Sequence, residues 1–542
     1  MMFHSSPEQE PGMSIRADKH VQPFAGQDIR ALLQLQAVRR SDHPFLVWRP
    51  FTGAGQTWTY ARFVDRIARF AAGLYARGVR AGDRVLVHLD NCPETVIAWF
   101  GCAWMGAVAV TTNAKSSADE LSYFATHSRT VSGVTQPKFA ELVARACPQL
   151  RWLAVTDTDN GDEPGPARPP ADARFDRIDG DPRTLPARAA DPTAPFSVQY
   201  TSGTTSRPKG VLWTHANALW GARVNAVHED LRADDVHLVA LPLYHTNAQA
   251  YSVLASLWAG GTAVILPRFS ASRFWHISVE HRCTWFSLVP FCTRALMEQE
   301  VPASHSYRLW GSAVCEPPTD ARFRIKTVGW WGMTETITHG TVGLAHLPNT
   351  PLSIGRPAPE YEIRVTDNGR ACEPGQTGDL SIRGVRGLSL FAEYLDNPEA
   401  TANSYDAEGF FMTGDRVTVG ADGSLFFADR SKDMLKVGGE NVAASEIERV
   451  LLTVPGVIEA AVVARKDRML DEVPVAFVRA ADGSPEAQAA LMIAIQTACG
   501  TALAEFKRPR EVRVVADLPR STLEKISKAE LRKLLRAESA GS

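Results

Sequence analysis

A short alternating run, Phe196-Ser197-Val198-Gln199-Tyr200, reads as a β-strand, and it leads directly into Thr201-Ser202-Gly203-Thr204-Thr205-Ser206-Arg207-Pro208-Lys209-Gly210-Val211. Hydroxyl side chains and a flexible glycine follow the strand, with a lysine and a second glycine behind them. Backbone N–H groups, hydroxyls and an ammonium can thus converge on phosphate oxygens, which makes the segment an anion cradle. It is not a Walker A loop, because Pro208 precedes Lys209 where that pattern requires glycine.

Around the cradle, helix-spaced segments such as Tyr60 to Ala76 alternate with β-branched runs at Arg84 to Leu89, Val236 to Pro242 and Thr262 to Leu266. This alternation predicts an α/β architecture with largely parallel strands. With 542 residues the chain exceeds what one core organises, so at least two domains are expected. From Tyr361 the pattern shifts to hairpins with turns at Asp367-Asn368-Gly369 and Ala421-Asp422-Gly423. Beyond Arg430 a smaller α+β unit follows, with helices expected at Ala444 to Leu452 and Ser484 to Ala502 and strands at Ala460 to Ala464 and Val473 to Val478. The Pro-, Asp- and Gly-rich stretch from Thr156 to Pro195 reads as a long surface loop with room for one strand.

The uncharged run Thr95 to Ala114 has the length of a membrane span, but Gly106 divides it into a core-helix half and a strand half, Val108 to Thr112. No membrane span is expected. Lys plus Arg number 58 against 60 Asp plus Glu, so no global field draws the protein to nucleic acid. The eight cysteines show no C-x-x-C pair and no zinc-finger spacing, and the N-terminus lacks a signal-peptide pattern, which together predict a cytoplasmic protein with a loose leader.

Further motifs follow the cradle in order: Pro242-Leu243-Tyr244-His245, Gly329-Trp330-Trp331-Gly332-Met333-Thr334-Glu335-Thr336, Gly378-Asp379-Leu380-Ser381-Ile382-Arg383-Gly384, Phe411-Met412-Thr413-Gly414-Asp415, Asp429-Arg430-Ser431-Lys432-Asp433, Gly438-Gly439-Glu440-Asn441-Val442, and Pro519-Arg520 ahead of Lys525-Ile526. Together with the cradle they resemble the adenylate-forming superfamily of acyl-CoA synthetases, nonribosomal adenylation domains and firefly luciferase, over roughly Phe24 to Leu535. The nearest pattern is the crotonobetaine/carnitine-CoA ligase-like group, which shares Ser206-Arg207 within the cradle and the run Tyr394 to Thr401.

The resemblance implies an α/β fold in which a large N-terminal domain of layered mixed sheets and helices carries a small β-barrel-like part, followed by a smaller, mobile α+β C-terminal domain. It divides the chain into a flexible leader at 1–23, an adenylation domain at 24–430 and a mobile domain at 431–542, hinged near Lys432. The implied activity is that of an ATP-dependent acyl-CoA ligase, which forms an acyl-adenylate with release of pyrophosphate and then the CoA thioester. ATP, Mg²⁺ and CoA are the implied partners of a small carboxylic acid. A carrier protein in place of CoA, a homodimer, and a nucleotide-binding homologue without catalysis stay open.

Carried over residue by residue, Thr201, Ser202, Gly203, Thr204, Thr205 and Lys209 would hold the terminal phosphates. Thr334 would contact the α-phosphate, and Glu335 would help bind magnesium. Trp331 would stack on adenine, with Gly311-Ser312-Ala313 on the ring's other face and Gly332 and Met333 beside it. Asp415 would accept from both ribose hydroxyls, and Arg430 would reach ribose or phosphate. Lys525 is the implied catalytic lysine, although Glu524 precedes it where relatives usually have glycine; Lys528 is the fallback. Gly438 and Gly439 would let the pantetheine arm pass close to the backbone. His245, Thr246, Trp330 and Gly332 would line the acyl pocket, with gating of the thiol and a purely structural role both open for His245. No acid stands at His245-Thr246-Asn247, which disfavours an amino-acid substrate, and Gly332, where acetate-activating relatives carry tryptophan, admits more than two carbons.

Overall fold

The computed structural model describes residues 22–157, 159, 173–201, 207–430, 434–519, 526 and 528–540. Most of the expected leader, Ser202, Gly203, Thr204, Thr205, the hinge residue Lys432, and Lys525 with Glu524 lie outside the described residues, as does the side chain of Arg430.

Apolar residues spaced three and four apart make Tyr60–Ala76 a helix with one buried stripe: Tyr60, Phe63, Val64, Ile67, Phe70, Ala71 and Leu74 all face the interior. Thr59 caps its start by accepting the N–H of Arg62. The helix packs on strands Pro44–Trp48 and Gln56–Thr59 of a nine-stranded sheet and on helix Pro93–Met105. That second helix rests in turn on strands of an eight-stranded sheet, so helices lie between two sheets and one hydrophobic core runs through the layers.

Pro93–Met105 and Val108–Thr111 are the two halves of the uncharged run. Gly106 ends the helix with φ of 84°, a left-handed conformation that glycine adopts without strain, and all four strand residues are buried. Among the described residues no helix is long and apolar enough to cross a membrane.

In the eight-stranded sheet, Arg84–His88, Val108–Thr111, Thr130–Thr135 and Pro195–Thr201 run parallel, while Lys209–Thr214 returns antiparallel to Pro195–Thr201, with Thr201 opposite Lys209. The described ends of the cradle, Thr201 and Lys209, therefore face each other across this antiparallel pair. In the nine-stranded sheet Val236–Val239, Trp285–Ser287, Leu309–Ser312 and Lys326–Trp331 lie parallel in adjacent positions. The carboxyl ends of strands from both sheets carry the motifs, which is where open α/β sheets place ligands.

A five-stranded antiparallel sheet is built from Glu362–Asp367, Arg370–Ala371, Thr377–Arg383, Phe411–Val419 and Leu425–Arg430. Its first hairpin turns at Asn368 and Gly369, with φ of 49° and 77°. The C-terminal domain wraps a separate sheet of Met434–Val437, Glu440–Ala443, Val457–Asp467, Asp471–Ala480 and Glu511–Val515 with helices Ala444–Leu452, Pro485–Ala502 and Lys528–Ala540. Its two apolar clusters, around Ile447 and Val462 on one side and Phe477 and Leu531 on the other, are distinct from the large core.

Candidate active site

A cavity of about 1750 Å³ opens between the two large sheets, the antiparallel sheet and the C-terminal domain. Thr201, Lys209, His245, Thr246, Ala313, Trp330, Trp331, Gly332, Met333, Thr334, Glu335, Asp415, Gly438 and Gly439 all line it. Residues far apart in the chain thus meet around one cavity.

Trp331, the last residue of strand Lys326–Trp331, donates its indole N–H to Asp415 Oδ2 at 2.8 Å, and both side chains are buried. The bond fixes the ring plane and aims the carboxylate in one step. Gly340 makes the ring's position possible, since a Cβ there would approach it to 2.7 Å. Asp415 faces Arg430 across the register of the antiparallel pair, so the backbone of Arg430 arrives beside the same site.

Glu335 is 4% exposed and accepts a hydrogen bond from the Tyr394 hydroxyl at 2.9 Å. The ammonium of Lys209 lies 4.3 Å from the centre of the Tyr394 ring, a cation–π contact that holds the lysine at the end of its strand. Burial pushes the Glu335 carboxyl above its ordinary range, and the Tyr394 bond and the Lys209 charge offset this only in part. A desolvated carboxylate of this kind gains from a cation. Among the described residues no cluster of three His, Cys, Asp or Glu side chains is arranged to hold a metal ion.

Thr334 accepts the Trp213 indole N–H at its carbonyl, 2.9 Å away, and its hydroxyl lies 3.2 Å from that of Thr246. Thr246 continues to Gln199 Oε1 at 3.0 Å, and the Gln199 amide N–H₂ donates to Gln249, whose own N–H₂ donates to the Leu243 carbonyl at 2.7 Å. Gln249 stands in the π-helix Asn247–Leu254, an irregular turn of the kind found at functional sites. Gln199 and Tyr394 line the cavity, while Gln249 and Trp213 stand behind it and hold residues that line it; sequence reasoning missed all four.

Trp330 stacks on His339 with ring centroids 4.0 Å apart and meets the edge of Tyr251 at 5.8 Å. Its ring occupies the face of Gly311, where a Cβ would come within 1.6 Å of a ring carbon. Gly311 therefore serves Trp330, and of the segment Gly311-Ser312-Ala313 only Ala313 reaches the cavity. Gly332 has a similar reason: its Cβ would stand 2.5 Å from the Tyr251 hydroxyl and 2.6 Å from the Thr338 carbonyl.

His245 lines the cavity but reaches across to the C-terminal domain, with Nε2 at 2.8 Å from Glu440 Oε2. Asn113 donates to the same oxygen at 3.2 Å. Burial pushes the Glu440 carboxyl up, but His245, Lys115 and Lys507 outweigh it and hold the group below its ordinary range. Gly438 and Gly439, immediately before Glu440, form the hairpin turn between Met434–Val437 and Glu440–Ala443 with φ of 57° and 87°. Both glycines thus answer to turn geometry as well as to the cavity they face.

Comparison with known proteins gives the family. Residues 33–395 match the family described as AMP-binding enzyme, and residues 446–525 match the AMP-binding enzyme C-terminal domain. The crotonobetaine/carnitine–CoA ligase of Escherichia coli O139:H28 is 33% identical over 531 residues, which covers 94% of this chain and 99% of that protein. The o-succinylbenzoate CoA synthetase of Bacillus subtilis, as a double mutant bound to a product analogue, superposes with a TM-score of 0.79 at 25% identity, covering 92% of this chain and 97% of the other. The same synthetase with ATP and magnesium gives 0.65 at 26% identity, covering 92% and 99%. The chain belongs to the AMP-binding enzyme family. It is an AMP-forming acyl-CoA ligase, which activates a carboxylic acid as its acyl-adenylate and then transfers the acyl group to a thiol.

Proposed function

We propose that the enzyme runs both half-reactions in this one cavity, and that the C-terminal domain changes position between them about a hinge at Lys432, where 24–430 meets 431–542. The observation that carries the reading is continuity: Lys209, Glu335, Trp331 and Asp415 line the same cavity as Gly438 and Gly439 of the C-terminal domain. Adenylation sets a carboxylate against a polyphosphate, so charge must be neutralised before the oxygen can attack. Thr201 to Lys209 hold the terminal phosphates, Thr334 the α-phosphate, and Glu335 magnesium, which supplies charge neutralisation when bound. Trp331 takes adenine, Asp415 and Arg430 the ribose, and Lys525 the developing charge at the α-phosphorus.

In the second half-reaction Gly438 and Gly439 flank the thiol's approach, with CoA as the acceptor. The higher similarity to the product-analogue complex than to the ATP complex of the same synthetase supports assigning the present arrangement to thioester formation. The acid enters beside Tyr251 and Trp330, with His245 and Thr246 at the channel; the relatives' names make carnitine-like acids the first class to try. The eight cysteines are free thiols and seven are buried, which supports a cytoplasmic setting.

The test is acid-dependent pyrophosphate release from Mg-ATP over short fatty, aryl, carnitine-like and steroid acids, with and without CoA. Turnover that needs an acid and yields a CoA thioester is expected. A thioester formed only on a carrier protein would replace the acceptor, and ATP binding without pyrophosphate release from any acid would overturn the reading.

A further inference from the structure

Lys507, in the single 3₁₀ turn Glu505–Lys507 that follows the long helix of the C-terminal domain, is an ammonium with almost no access to water: its relative exposure is 7%. It donates to Glu446 Oε1 of its own domain at 3.0 Å and to Glu120 Oε1 of the N-terminal domain. Glu120 and Glu446 are as buried as the lysine, at 7% and 3%. Glu120 is itself fixed, because it closes a capping box at the start of helix Ala118–His127 by accepting the Ser117 N–H at 2.8 Å. Ser117 also donates its hydroxyl across the boundary to the Ala502 carbonyl at 3.0 Å.

The Lys507–Glu446 pair travels with the C-terminal domain, whereas the Lys507–Glu120 pair exists only when the two domains stand as they do here. Two buried carboxylates facing each other without the ammonium would repel in a low-dielectric interface, so this arrangement depends on the lysine. The same arrangement brings Gly438 and Gly439 to the cavity and Glu440 to His245. We propose that Lys507 is a positioning residue for thioester formation, pinning the C-terminal domain through Glu120 in the arrangement that admits the thiol. The proposal rests on the reading that the two half-reactions use different domain arrangements.

The test separates the half-reactions in the full-length enzyme: acid-dependent ATP–pyrophosphate exchange for the first, and single-turnover thioester formation from the supplied acyl-adenylate of the best panel acid with CoA for the second. Lys507→Met and Glu120→Gln should each slow the second step by roughly 30- to 100-fold and leave exchange within about threefold. Glutamine keeps the capping box while removing the charge, so Glu120→Gln reports on the interface even if Lys507→Met weakens its own domain. The double variant should be no slower than Lys507→Met alone, a coupling present in the second step and absent from the first. Lys525→Ala is the reference, expected to abolish exchange and spare the second step. If that split fails, the two-arrangement reading has failed; if it holds while Lys507→Met slows both steps alike or neither, the role of Lys507 is overturned.

Discussion

The Trp331 indole N–H and the Asp415 carboxylate are joined at 2.8 Å with both side chains buried, so the group read as the adenine platform also orients the group read as the ribose acceptor. Trp331→Phe keeps a flat ring but removes the donor, leaving one of the carboxylate's bonds unmade in a buried place, at a cost of about 1–3 kcal/mol. The expected result is a rise of roughly tenfold in the KM for ATP, with a smaller change in kcat. Asp415→Ala should do more, since it removes the acceptor altogether. An unchanged KM in Trp331→Phe would mean that the bond does not shape the nucleotide site.

Trp330 and Gly311 form a second pair whose consequences are non-additive. Gly311→Ala drives a methyl group into the Trp330 ring, 1.6 Å from its nearest carbon, and should lower Tm sharply. Trp330→Ala leaves a void and costs about 3–5 kcal/mol on its own, but it opens the wall beside Tyr251 and should extend the accepted acids toward bulkier ones. In the double variant the clash has no partner, so it should melt no lower than Trp330→Ala alone. Independent, additive losses in differential scanning calorimetry would sink this account.

Much of this was legible in the sequence because it is local. Helix Tyr60–Ala76 and helix Ala444–Leu452 follow from apolar spacing to the residue, and the break at Gly106 follows from one glycine between a helix-forming half and a β-branched half. The motif residues were legible by resemblance, and the fold gathers many of those it describes around one cavity, though Gly311 and Ser312 stand outside it. The supporting shell was not. Tyr394 meets Glu335 across 59 residues of chain and Trp213 meets Thr334 across 121, and no local pattern announces such pairs. The π-helix Asn247–Leu254 escapes a reading built on a period of 3.6, and His245 is claimed by Glu440 across a domain boundary that spacing does not cross.

Glu335, read as the magnesium-binding carboxylate, carries a stability cost. Its carboxyl is raised above the ordinary value of 4.5, chiefly by burial, so the folded state favours the protonated form. Stability is then fully present below the unfolded value and falls as pH rises through the higher folded value. Glu335→Gln removes that penalty while its side-chain oxygen still accepts from Tyr394. The nucleotide-free variant should melt above the wild type at neutral pH, with the difference vanishing as pH drops below about 4.5, and it should lose about a hundredfold or more in kcat. A variant that melts lower at neutral pH would contradict the assignment.

Gly439 separates turn geometry from substrate passage. Its φ of 87° is one that a side chain rarely adopts, so Gly439→Ala should destabilise the hairpin by about 1 kcal/mol whatever the turn's function. The space around it is not tight, since the nearest foreign atom to a Cβ would be a Val289 methyl at 3.8 Å, and the turn itself can therefore accept the methyl group. What the methyl group would meet is whatever occupies the cavity next to it. If the thiol arm passes there, CoA-dependent thioester formation from supplied acyl-adenylate should fall about tenfold or more, well beyond the loss in Tm, while ATP–pyrophosphate exchange stays within about twofold. Asn, which tolerates the left-handed region, supplies the control: Gly439→Asn should recover the melting temperature but not the second half-reaction. Recovery of both together would make the glycine a requirement of the hairpin alone.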